Sequence, residues 1–203
     1  MTDLLPLHRR TMTIATAIVA EVREDQLSAH TPCAGWDLSQ LIAHMTGQNR
    51  GFASAARGEA FALETWAELP APGGPGEEFA ASAGEVVAAF NSPGALDREW
   101  PILVGDDRSL PVPGRQALGF HFIDYVVHAW DVGVSIGRKP EFDDDILTAV
   151  LPLAEEVPLD GPTRNGPYAP FAPAVAIDPG LDKLDRLLAT LGRDPHLTMN
   201  DLR

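Results

Sequence analysis

The chain has a single cysteine, Cys33, among 203 residues. An internal disulfide is excluded, no CxxC motif exists, and a reducing cytoplasm is the expected compartment. Basic residues are also scarce: 15 Lys and Arg stand against 29 Asp and Glu, a formal net charge of −14. That balance lacks the basic patch that nucleic acid or an anionic membrane surface requires. No apolar run approaches the ~20 residues of a membrane-spanning helix, and the start, MTDLLPLHRR, lacks a signal-peptide pattern. The glycines form neither a GxGxxG nor a Walker pattern, so nothing points to a nucleotide. What is present is a hydrophobic fraction of 45%, ordinary for a folded protein.

Helical periodicity dominates. Leu4, Leu7, Thr11, Ile14, Ile18 and Val22 recur every three or four residues, which predicts a first helix from Asp3 to about Gln26. The stretch from His30 to Trp36 reads as a turn. Asp37, with Gln40 three residues later, is a helix-start signature, so a second helix is expected from Leu38 to about Ala56. Residues 68–76 must be a loop, and a third helix follows from about Glu77 to Asn91. Trp100 to Pro113 is either a small hairpin or a long connection. A fourth helix runs from about Gly114 to Ile136, ending at Gly137 beside Arg138 and Lys139. Shorter helices are expected over Asp143–Leu151 and Leu181–Leu191, with the proline-rich stretch 158–180 extended along the surface. We read this as one all-α domain over 1–203: an antiparallel four-helix bundle over about 1–137 and a packing extension over about 138–203. The loop between the second and third helices is long enough for a crossover.

One segment carries chemistry. His121, Asp124, His128 and Asp131 are spaced by three, four and three, so on a helix they form one polar stripe. Phe120, Ile123, Val127, Trp130 and Val134 form an apolar stripe beside it. Ionisable groups in so apolar a helix need partners. Asp124 and His128, four apart, meet over one turn and are able to share a divalent metal. His44, flanked by Ile42, Ala43 and Met45 in the second helix, is the best third ligand. Two histidines and a carboxylate with open positions suit catalytic zinc and also non-haem iron. The alternative is a metal-free polar network bracing the bundle.

The run Thr31-Pro32-Cys33-Ala34-Gly35-Trp36-Asp37-Leu38, followed by Leu41-Ile42-Ala43-His44-Met45, resembles the first signature of the DinB-like bundle proteins. It is most similar to the actinobacterial branch related to the N-terminal domain of mycothiol-dependent maleylpyruvate isomerase. Asp124 to Asp131 resembles the second signature. Pro170-Phe171-Ala172-Pro173, Leu184 to Ala189 and Leu191 to Pro195 resemble the ending of a small subfamily. The resemblance implies a DinB-like bundle with one zinc or nickel ion held by His44, Asp124 and His128. It also implies a low-molecular-weight thiol cosubstrate, such as mycothiol or bacillithiol, in an S-transferase or isomerase acting on a small electrophile. Two departures stand out. The isomerase has Glu where this chain has Asp124, and it carries a second domain for which 203 residues leave no room. Metal binding therefore carries over, whereas maleylpyruvate isomerisation does not. A non-catalytic, stress-responsive metal protein and a metal-assisted hydrolase are the rival readings, and a homodimer is compatible with such a bundle.

His121 and Asp131 are candidates for acid, base or support of a ligand. Cys33 precedes a helix start, which favours a thiolate, yet it reads first as a packed small residue. Trp36 reads as core or as a staple at the helix entrance. His8, His30 and His196 lack partners in sequence and are expected to be exposed. Asp143-Asp144-Asp145 starts a helix and lacks a calcium-loop pattern.

Overall fold

The computed structural model describes residues 3–69, 74–105, 107–165, 169–175 and 180–202. Its helices are α1 (Leu5–Ala20), α2 (Leu38–Arg57), α3 (Pro75–Phe90), α4 (Gly114–Ser135), α5 (Asp144–Glu155) and α6 (Lys183–Thr190). Between α3 and α4 lies the antiparallel hairpin of β1 (Glu99–Val104) and β2 (Arg108–Pro113), in which Glu99 faces Pro113 and Val104 faces Arg108. Among the described residues, no helix is long and apolar enough to cross a membrane.

The start of α2 follows its local chemistry. The Asp37 carboxylate accepts from the Gln40 N–H and the Gln40 side chain accepts from the Asp37 N–H, at 2.9 and 3.0 Å. Two free donors of the first turn are thereby satisfied, worth about 1 kcal/mol for the cap residue. Gly58, at φ 78°, ends the helix in the left-handed conformation that glycine adopts without strain. The first helix is shorter than its periodicity suggests: it stops at Ala20, and Glu24–Gln26 form a separate 3₁₀ turn. Beyond Val22 no apolar residue follows until Leu27, and Glu21, Glu24 and Asp25 would crowd the negative end of a longer helix. The third helix starts two residues early, with Pro75 in its first turn, where a missing N–H costs nothing.

In the bundle α1 packs against α3 and α4, and α2 also packs against α3 and α4. Consecutive helices α1 and α2 thus lie diagonally, as do α3 and α4. The crossing connections are 21–37 and the hairpin segment, not the α2–α3 loop expected from its length. That loop instead folds back on α2, with Trp66 4% exposed; its residues 70–73 lie outside the described set. The core holds Met12, Leu41, Ile42, Met45, Phe79, Phe90, Trp100, Leu118 and Tyr125, all essentially inaccessible. Each such large side chain contributes about 1.5–3 kcal/mol by leaving water. Their polar atoms are paired: Trp100 Nε1 donates to the Ala95 carbonyl at 2.9 Å, and the Tyr125 hydroxyl donates to the Met45 carbonyl.

A second cluster joins α1 and α4 to α5 and α6 through Leu7, Phe122, Ile123, Val126, Ile146, Val150 and Leu187. The α4 helix is consequently buried on most of its circumference, which explains its apolar sequence. Phe120, expected in the apolar stripe, is 44% exposed instead, at the less covered first half of the helix. The described part of 158–180 is not simply extended. Residues 161–165 form a turn in which Arg164 donates to the carbonyls of Pro158 and Ala172 at 2.9 and 2.8 Å. Residues 166–168 and 176–179 of that stretch lie outside the described set.

Candidate metal centre

The polar stripe of α4 divides into two environments. At its C-terminal part, one ring nitrogen of His44, one carboxylate oxygen of Asp124 and one ring nitrogen of His128 all lie within 4.8 Å of one another. His128 Nε2 is 3.2 Å from Asp124 Oδ1. Two donors bound to one zinc at ~2.0–2.2 Å sit roughly 3.2–3.6 Å apart, so this spacing already fits adjacent ligands. The Asp124 side chain is one-third exposed and His44 partly exposed, which leaves the set open to solvent on one side.

Each imidazole has its Nδ1 held by a carboxylate. His128 Nδ1 is 3.0 Å from Asp131 Oδ2, and His44 Nδ1 is 2.6 Å from Glu68 Oε1. A proton held on each Nδ1 leaves Nε2 as the nitrogen that would take a metal once it is deprotonated, the usual arrangement behind metal-bound histidines. The donor set and its supporting carboxylates therefore fit a single divalent ion. Trp36 lies against His44 with ring centroids 4.7 Å apart, so it walls the site while packing partly on the core.

Charge is balanced around His128. Burial would push its imidazole toward neutrality, but Asp124, Asp131 and Cys33 outweigh that and raise its pKa well above the ordinary value. Burial likewise raises the Asp124 carboxyl, and the nearby His128, with His44 and His121, holds it below the usual range. Asp131 is completely buried. Its burial is offset by Arg193 and His128, which keep it ionised.

Two participants escaped the sequence reading. Glu68 is delivered to His44 by the segment around Trp66. Gly47 and Gly51 make that possible: a Cβ at Gly51 would lie 2.1 Å from the Trp66 ring, and one at Gly47 would lie 2.8 Å from the Trp66 carbonyl. Arg193, after α6, donates from Nη2 to Asp131 Oδ2 at 3.1 Å and to Cys33 Sγ at 3.4 Å. Cys33 Sγ in turn lies 3.3 Å from Asp131 Oδ2 and 3.9 Å from His128 Nδ1. Cys33 is therefore more than a packing residue, although partly buried as expected. No local spacing signals these contacts, since Cys33 and Arg193 are 160 residues apart.

The N-terminal part of the stripe points elsewhere. His121 is 1% exposed and its Nδ1 pairs with His8 Nε2 at 2.9 Å. His8, expected at the surface, is fully buried, because its position on α1 faces α4 and Phe90. His30 and His196 are exposed, as expected. The His121 ring stacks on Tyr125 at 4.2 Å and meets Phe52 and Phe90 edge-on. Burial lowers the His8 pKa to about 3, and burial together with His8 lowers His121 well below its ordinary value. This is a neutral imidazole pair in an aromatic nest. Asp143 and Asp145 both pair with Arg10, and Asp144 pairs with Lys183.

The fold and this end-on set of histidines and carboxylates define a helical-bundle protein with a candidate metal centre. Residues 8–133 match the family model of the mycothiol maleylpyruvate isomerase N-terminal domain, and the chain belongs to that family. An uncharacterised protein of Mycobacterium tuberculosis, found in two strains, is 32% identical over 94% of this chain and 98% of its own length. A crystallised variant of mycothiol-dependent maleylpyruvate isomerase shares the fold, with TM-score 0.55 and 20% identity. That match covers 74% of this chain and 65% of the isomerase chain, so this protein spans less than two-thirds of it.

Proposed function

We propose that this chain binds one divalent ion, zinc or nickel, through His44, Asp124 and His128, and uses it with a low-molecular-weight thiol of the mycothiol type on a small electrophile. The observation that carries this reading is the convergence of three donors from two helices within 4.8 Å, each imidazole backed by its own carboxylate. Such backing is the usual arrangement behind metal-bound histidines.

A divalent ion held by His44, Asp124 and His128 would supply Lewis acidity that favours the thiolate form of a thiol near neutral pH. The protein residues do the rest. Asp131 and Glu68 hold the Nδ1 protons, so both rings offer Nε2. Asp124 contributes negative charge on the exposed side of the set. Trp36 lines the approach with an apolar wall against which the carbon skeleton of an electrophile can rest. Asp131 is inaccessible and saturated by His128, Arg193 and Cys33, so it serves as a holder, not as an acid or base toward substrate. His121 is occupied by His8 and aromatic rings, which gives it the same non-catalytic standing.

Elemental analysis of protein purified without an affinity tag tests the reading. About one ion per chain is expected in the wild type and almost none in His128→Ala. Thiol consumption with a generic electrophile should require both the ion and the thiol. Equal metal content in both proteins overturns the assignment; consumption of electrophile without thiol turns the chemistry toward hydrolysis.

A further inference from the structure

Beside the three candidate ligands lies a second group of donors. Cys33, His128 and Asp131 also present one donor atom each, all within 4.8 Å of one another. The two groups share His128 and use its opposite nitrogens: Nε2 faces Asp124, and Nδ1 faces Asp131 and Cys33. A sulfur, an imidazole nitrogen and a carboxylate form a softer set than the first, suited to thiophilic ions. Yet this group already contains a cation. The Arg193 guanidinium donates from Nη2 to both Cys33 Sγ and Asp131 Oδ2, and from Nε to Asp131 Oδ1 at 3.4 Å. Its planar fork spans the carboxylate in two-point fashion. The charge it supplies also matches what the inaccessible Asp131 requires.

We propose that Arg193 is the positioning residue of this centre and the plug of its second, softer cation site. Through Asp131 it fixes the proton on His128 Nδ1, and by occupying the Cys33–His128–Asp131 cluster it restricts the protein to one ion. The inference rests on the metal reading of His44, Asp124 and His128. Arg193 lies outside the segment 8–133 that matches the family model, so this device belongs to the C-terminal part of the chain. Removing the guanidinium leaves the buried carboxylate with His128 as its remaining positive neighbour, next to a thiol and a His128 Nδ1–H that both release their protons to solvent when an ion binds there.

Cobalt(II) titration of the metal-free protein tests this, because a cobalt–thiolate bond has its own charge-transfer band. Wild type is expected to take about one equivalent with no thiolate band. Arg193→Met is expected to take about two, with the band present. Arg193→Met combined with Cys33→Ser should return to about one equivalent and lose the band. Arg193→Lys, which keeps the charge, should behave like wild type in stoichiometry. Arg193→Gln, neutral and polar, replaces the methionine variant if circular dichroism shows that the latter is unfolded. A wild-type protein that binds one cobalt, together with neutral Arg193 variants that also bind only one and lack the band, overturns the plug alone. A thiolate band in the wild type does the same. A wild type that binds no cobalt overturns the metal centre first and this inference with it.

Discussion

Two histidines of α4, His121 and His128, lie seven residues apart on one face of the same helix, yet the molecule treats them oppositely. His128 is bracketed by Asp124 and Asp131, which favour its charged form, at the rim of an open set of donors. His121 is bracketed by His8, Tyr125, Phe52 and Phe90 and stays neutral. The residue type is the same and the helix is the same. The difference lies in what the facing elements bring: carboxylates, cysteine and arginine in one case, aromatic rings and a second imidazole in the other. Spacing on a helix thus identifies which residues share a face, but the facing partners decide whether an imidazole becomes a ligand or a core group.

The comparison can be broken most sharply at His128. His128→Ala should reduce bound metal from about one ion per chain to near zero, whereas His121→Ala should leave metal content unchanged, as elemental analysis will show. The reverse holds for stability. His121→Ala opens a cavity among aromatic rings and orphans His8, so urea denaturation should show a loss of about 2–4 kcal/mol.

The pH dependence sharpens the same contrast. An imidazole held neutral by burial binds fewer protons than its unfolded counterpart. Stability from His8 is therefore complete above the unfolded pKa of 6.5 and declines as pH falls toward its folded value of about 3. The slope is about 1.4 kcal/mol per pH unit for that residue alone. Denaturation midpoints measured from pH 7 to pH 4 should show this decline, and it should be shallower in His8→Gln. The smallest effect is expected at Glu68→Gln. Because that carboxylate is half-exposed, the variant should weaken metal binding by about tenfold, read by chelator competition, with little change in melting.

Much of this was legible in advance. The start of α2 and the end of α4 follow from the Asp37–Gln40 reciprocal cap and from Gly137, both local signals. The Asp124–His128 spacing exposes a pair of donors because one turn of helix guarantees their contact. His44 stood out as a polar residue among the apolar neighbours Ile42, Ala43 and Met45, and the family resemblance strengthened its pairing with them, since no periodicity links two helices 80 residues apart. Glu68, Arg193 and His8 were out of reach for a plainer reason. Their roles depend on which loop or helix face lands opposite α4, and that is settled by packing of the whole chain. A lone histidine in an amphipathic first helix looks like a surface residue until the helix is known to be covered on both flanks.

The close approach of the Trp66 segment to α2 has an implication well away from the donors themselves. The furrow that seats the indole exists because two positions of the helix have no side chain. A single methyl group at residue 51 would lever the tryptophan outward and drag the acidic residue two places later off its imidazole. The proposed ion site is thus sensitive to a change made wholly in hydrocarbon, at a position carrying no functional group.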